Sequence, residues 1–97
     1  MSDAGKAIQL DPRDNVATAL AALPAGAAVA IGAASVTLAC DIPRGHKFAL
    51  RPIPKGQAAI KYGQPIGRAT RDIAPGEHVH VHNLQSQRAT REEGAGG

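Results

Sequence analysis

Short runs of alternating apolar and polar or small residues, each closed by proline or glycine, dominate this chain. "AVAI" and "SVTLA" flank "GAA" and predict a hairpin, and a short strand is expected around Ala7 to Leu10. Four stretches then resemble one another: "ALPAGAAVAI", "DIPRGHKFAL", "PIPKGQAAI" and "DIAPGEHVHV". Each has an apolar residue, turn-forming positions, a glycine and an extended run. The glycines fall at 26, 45, 56 and 76, and their separations of 19, 11 and 20 residues exclude a solenoid of fixed period. Pro43, Pro54 and Pro75 supply no ladder amide and so punctuate strands. The glycine after each takes positive φ at little steric cost, which reverses the chain into the next strand.

One stretch follows a different period. In "DPRDNVATALAALPAG", Val16, Leu20 and Leu23 fall at i, i+4 and i+7, with Asp14 placed to cap the first turn. That spacing predicts about two turns of helix, stopped by Pro24 and Gly26. The expectation is therefore a mainly β protein, a small barrel-like or clip-like domain of short strands with one short N-terminal helix. Residues 1–5 read as a frayed start, 6–84 as the domain, and 85–97 as a flexible tail.

Composition narrows the function classes. At 97 residues the chain is one small domain, and with only Phe48 and Tyr62 as aromatics its core must be built from Ala, Val, Ile and Leu. Net charge is +3, but the lysines and arginines are scattered, and two aromatics offer little for base stacking. Nucleic-acid binding is disfavoured on those grounds, and attraction of an anionic small molecule fits better. Cys40 stands alone, which excludes an internal disulfide and a cysteine-rich metal site, and it is read as a small structural hydrophobe. Val16 to Ala39 carries no charge over 24 residues, but Pro24, Gly26 and Gly32 interrupt it. No membrane span is expected, and the chain is read as soluble and cytoplasmic.

Three of the four histidines lie in "GEHVHVHN". On an extended chain His78, His80 and His82 share one face, with Val79 and Val81 turned to the core. Two imidazoles at that spacing can converge on one ion, completed by His46 of "RGHKFAL" or by groups from another chain. Substrate hydrogen bonding and an ordinary solvated strand face remain open beside metal ligation. Lys47 can hold a carboxylate as a point charge or be plain surface, and Glu77 can serve as ligand or base or be solvated. "KYGQPIGRAT" implies a tight bend around Tyr62, Gly63, Pro65 and Gly67. With no carboxylate cluster, nucleophile triad or phosphate loop, the domain by itself does not read as a complete enzyme.

Taken together, "DNVATAL", "IPRGHKFAL" and "IKYGQPIGRATRDIAPGEHVHVHNL" resemble the SAF-type domain of the altronate and galactarate dehydratases, from about Ile8 to Leu84. The altronate dehydratase N-terminal domain, which also occurs as a small subunit, is the most similar. The small subunit of sulfolactate sulfo-lyase is similar over the same stretches. The resemblance implies a β-clip fold and a hydro-lyase, active in complex with a larger catalytic chain, that removes water from an aldonate to give a 2-keto-3-deoxy acid. It implies divalent iron or manganese, shared with that chain. It implies His46 and His80 as catalytic residues, and His78, His80 and His82 as metal ligands. Lys47, Lys61 and Tyr62 would hold the substrate carboxylate or the partner chain, and Asn83, Asp14 and Asn15 would meet the sugar acid, although helix capping explains Asp14 without chemistry. Oligomeric state is left open. The rival expectations are a sulfo-lyase small subunit and a non-catalytic sugar-acid-binding module.

Overall fold

A computed structural model describes residues 6–32 and 34–86. The expected frayed start, residues 1–5, and residues 87–97 of the expected tail lie outside the described residues. Nine short strands follow in chain order: β1 (Ala7–Ile8), β2 (Val16–Ala19), β3 (Ala28–Ile31), β4 (Ala34–Thr37), β5 (Lys47–Ala49), β6 (Ala58–Lys61), β7 (Gln64–Ala69), β8 (His78–Val79) and β9 (Leu84–Ser86). They form a four-stranded sheet ordered β1-β2-β5-β8, the hairpin β3-β4, and a three-stranded sheet ordered β6-β7-β9. All pairings are antiparallel. Gln85 and Ser86, expected at the start of the tail, pair with Arg68 and Gly67 of β7.

The four similar stretches are one turn used four times. At each, a glycine with φ of 84° to 86° occupies the third position, and the next residue's amide returns to the carbonyl of Pro24, Pro43, Pro54 or Ala74. This is a type II turn, in which the third position needs positive φ. The turns are paired, first with second and third with fourth. Leu23 bridges Ile42, and Ile53 bridges Ile73. The carboxylate of Asp41 accepts from Ala25 N, and that of Asp72 from Lys55 N, each at 2.9 Å. Each pair encloses one hairpin, β3-β4 or β6-β7. The chain is thus two copies of one unit, offset by about thirty residues, as Gly26 to Gly56 and Gly45 to Gly76 show.

Two small cores match the two copies. Leu23, Val29, Leu38, Ile42 and Phe48 belong to the first, and Ile53, Ala59, Ala69, Ile73 and Val79 to the second. Strand β2 runs between them, with Val16 in the second core and Ala17 and Ala19 in the first. This corrects the helix expected from Asp14 to Leu23. A segment buried on both faces gains from an extended run of small apolar residues, so the helical spacing was incidental. Leu20, which the helix would have turned inward, is 50 % exposed. No helix occurs among the described residues, and so none there is long and apolar enough to cross a membrane.

Candidate functional site

The turn at Gly45 feeds His46 into β5, and the turn at Gly76 feeds Glu77 and His78 into β8. In the β5-β8 ladder Phe48 pairs with His78 and Lys47 with Val79. His46 precedes β5 and His80 follows β8, so the two flank the end of this ladder, where their rings meet. Val79 goes to the core, fully buried.

The alternation does not continue, which corrects the ladder of three histidines. Strand β8 ends at Val79, and the chain turns over residues 81–83. Asn83 closes that turn: its Oδ1 accepts from His80 N at 3.0 Å, and its Nδ2 donates to His78 O at 2.7 Å. Val81 is therefore 81 % exposed instead of facing the core. The imidazoles still gather, but through the turn. His46 and His80 stack with centroids 4.6 Å apart, His78 and His80 lie at 5.3 Å, and His82 tilts against His78 at 5.4 Å.

His46 Nδ1 and His78 Nε2 are 2.8 Å apart, one donating to the other according to tautomer. Ligand nitrogens of His46, His78 and His80 all lie within 4.8 Å of one another. Burial holds the His78 imidazole below the ordinary histidine range, and the neighbouring His46, His80, His82 and Lys47 push the same way. His80 is lowered by burial first and then by His46, Lys47 and His82. His78 and His80 are therefore biased towards the neutral form, which keeps lone pairs free for a cation.

The lowered His78 value has a consequence for stability. As pH falls through the unfolded histidine range near 6.5, the unfolded chain takes a proton that the folded chain resists. Stability of the metal-free domain should fall across that window and be flat above it. Denaturant unfolding between pH 8 and pH 5 measures this, and His78→Gln should flatten the slope. An unchanged slope in that variant would remove His78 as its source.

Beside the imidazoles lies a cleft of about 400 Å³, lined by Lys47, Lys61, Tyr62, His80, Val81 and Leu84. Lys47 is half-buried, and burial, then the charge of Lys61, lowers its ammonium below the usual lysine range. The Lys61 ammonium lies 5.3 Å from the centre of the Tyr62 ring. A larger hollow, about 520 Å³ between Pro52, Pro54, Ile73 and Pro75, has neither imidazole nor lysine. Its Asp72 and Glu77 carboxylates bind turn amides.

Asp14, expected as a substrate contact or a helix cap, and Asn15, expected as a substrate contact, both act as structural ties. Asp14 is fully buried and caps no helix. Its carboxylate accepts from Asp11 N at 3.1 Å, Tyr62 N at 3.1 Å and Gly63 N at 2.8 Å. Asn15 holds β6 through Ile60 N to its Oδ1 and its Nδ2 to Ala58 O. The pair thus fixes the hairpin that carries Lys61 and Tyr62 into the cleft. Sequence reasoning missed this long-range clamp, and its one local signal is "KYG", where Tyr62 takes a φ of 58°. Every carboxylate among the described residues (Asp11, Asp14, Asp41, Asp72 and Glu77) accepts a backbone amide.

The described residues form an antiparallel domain of nine short strands, with an imidazole cluster beside a two-lysine cleft. The match to the altronate/galactarate dehydratase SAF domain spans residues 5–87, and the chain belongs to that family. It is 53 % identical over 79 residues to an altronate dehydratase of Escherichia coli, covering 81 % of this chain and 16 % of that one. An altronate dehydratase of Bacillus subtilis is 42 % identical over the same length and shares. The alpha subunit of the (2R)-sulfolactate sulfo-lyase of Paracoccus pantotrophus is 43 % identical over 53 residues, 55 % of this chain and 79 % of that one. The chain thus matches about one sixth of the length of the altronate dehydratases.

Proposed function

We propose that this domain serves a sugar-acid dehydratase of the altronate dehydratase type, as its SAF domain or small subunit, together with a larger catalytic chain. The observation that carries the reading is the convergence of three half-buried imidazoles beside a cleft walled by two lysines. Lys47 and Lys61 hold the carboxylate of an aldonate, and Tyr62 offers a hydroxyl to the sugar chain. His80 borders both the cluster and the cleft, which puts it in reach of a substrate bound there.

The donor set fits a divalent ion such as Fe²⁺ or Mn²⁺. Three imidazoles bind such an ion while leaving further positions open. His46, His78 and His80 would hold it, with His82 beside them as the fourth imidazole. This set has His46, which the spacing allowed as the completing ligand, where the resemblance implies His82. Bound there, the ion supplies Lewis acidity next to the substrate's carboxylate. Dehydration removes the proton beside the carboxylate and the neighbouring hydroxyl as water, and the resulting enol becomes a 2-keto-3-deoxy acid. That needs a base and an acid. The described carboxylates all accept backbone amides, and we assign the remaining acid/base groups to the larger chain.

The likeness to a sulfo-lyase alpha subunit favours a second reading, in which the leaving group is sulfite. A cationic cleft suits a sulfonate as well as a carboxylate. Reconstitution with the larger catalytic chain and Fe²⁺, offering altronate and sulfolactate, separates the two. Keto acid from altronate, needing both chains and lost in His46→Ala and His80→Ala, supports the dehydratase. Sulfite release moves the function to the sulfo-lyase. Full activity of the larger chain alone refutes both and leaves a sugar-acid-binding module. Mn²⁺ titration of the domain alone should show binding weakened at least about tenfold by either substitution.

A further inference from the structure

Only two polar residues are fully buried among the described residues, Asp14 and Asn83. Each is spent on one exposed turn. Asp14 grips Tyr62 N and Gly63 N, and Asn83 ties His78 to His80. At the tips of those turns stand Tyr62 and Val81, 64 % and 81 % exposed, the two most exposed large apolar side chains described. Both line the same cleft. Tyr62 also has the only positive φ at a non-glycine residue among those described. Such a backbone is unfavourable for a residue with a side chain and persists only where the surroundings enforce it.

Two exposed apolar side chains, on turns tied down by Asp14 and Asn83 on either side of the cleft, have the character of interface anchors. The surface between them is basic, with Lys47 and Lys61 and no carboxylate. The altronate dehydratases continue well beyond the matched region, which is 16 % of their length.

We propose that Tyr62 and Val81 are the two anchors on which the larger catalytic chain seats, closing the cleft and bringing its own carboxylates to the cleft mouth. This rests on the dehydratase reading above. Its occupant is that larger chain, not a second copy of this domain. Charge argues against a second copy, because two such basic faces repel.

The test measures affinity of this chain for the larger catalytic chain supplied in trans, with co-elution as a first screen. Tyr62→Ser and Val81→Asp should each weaken binding by roughly 10- to 30-fold, as loss of a buried anchor does. Leu20→Ser, an exposed leucine outside the cleft, should stay within about twofold. Thermal unfolding of all three should match the parent, because these side chains are exposed. Parent-like affinity in both cleft variants overturns the surface while the dehydratase reading stands. Failure of the parent to bind the larger chain overturns both. Self-association of the parent that the same two variants abolish, with no binding of the larger chain, overturns the proposed occupant.

Discussion

Asp14→Ala should destabilise the domain by about 3–5 kcal/mol, close to the limit of what a domain of this size can lose and remain folded. The carboxylate is wholly buried and accepts three backbone amides, those of Asp11, Tyr62 and Gly63. An alanine leaves all three donors without it and opens a polar cavity between the β1-β2 connection and the β6-β7 hairpin. Hydrogen bonds to a charged acceptor are worth about 1.5–3 kcal/mol each, and a shared acceptor makes them less than additive. Tyr62 holds its positive φ against an intrinsic preference, and this clamp is what enforces it. The fall in Tm should exceed about 12 °C, at roughly 4–8 °C per kcal/mol for a domain of this length.

Two controls sharpen the reading. Asp14→Asn keeps one acceptor oxygen but turns an NH₂ group towards a donor, so it should lose about half as much. Asp72→Ala removes one bond, to Lys55 N, at an exposed turn. It should lose about 1 kcal/mol, as a capping acceptor does. If Asp14→Ala melted within a few degrees of the parent, the clamp would not hold the hairpin. The cleft geometry would then need another cause.

How far these features could be read without the structure depends on how local their causes are. The four glycine turns were legible because a type II turn is set within four residues. The β3-β4 hairpin was legible for the same reason. Their pairing was not, because Leu23 with Ile42 and Ile53 with Ile73 are joined across hairpins. Only the offset of about thirty residues hinted at it, masked by the unequal spacing of neighbouring glycines. The failed helix shows the opposite error. "VATAL" fits a helical face by local spacing, and burial on both sides of β2 overrides it.

The site divides along the same line. Residue types pointed to the imidazoles, and His46, His78 and His80 do come together. The reason given by alternation alone was incomplete, since β8 stops after Val79 and Asn83 folds the chain back. Asp14 could be singled out in sequence but not given its partners, because Tyr62 lies 48 residues away. Asn15 had the same obstacle, with Ile60 45 residues distant. Contacts of that range depend on the finished topology.

The glycines at 45 and 76 make the same point as an experiment. In sequence they are equivalent, each closing a turn and introducing a histidine-bearing strand, and their φ angles are 84° and 85°. Gly45→Ala meets no atom within 4 Å and should cost only the left-handed backbone penalty, about 1–2 kcal/mol. Gly76→Ala would drive its Cβ into the carbonyl oxygen of Thr37, with Thr37 C at 3.1 Å and Ala39 N at 3.2 Å. These are backbone atoms and cannot turn aside. Relief requires moving Gly76 itself, whose carbonyl accepts from Ala39 N and whose amide donates to Ala49 O. The loss should therefore exceed that of Gly45→Ala by at least about 2 kcal/mol, the usual scale of overpacking. His78 follows two residues later, so the proposed metal affinity should fall with stability in Gly76→Ala, whereas Gly45→Ala should keep most of its stability. Equal losses in denaturant unfolding would show that the two turns have equivalent surroundings and that no close approach joins Gly76 to the end of β4. Unequal losses would measure that approach directly, because the backbone penalty is common to both and cancels.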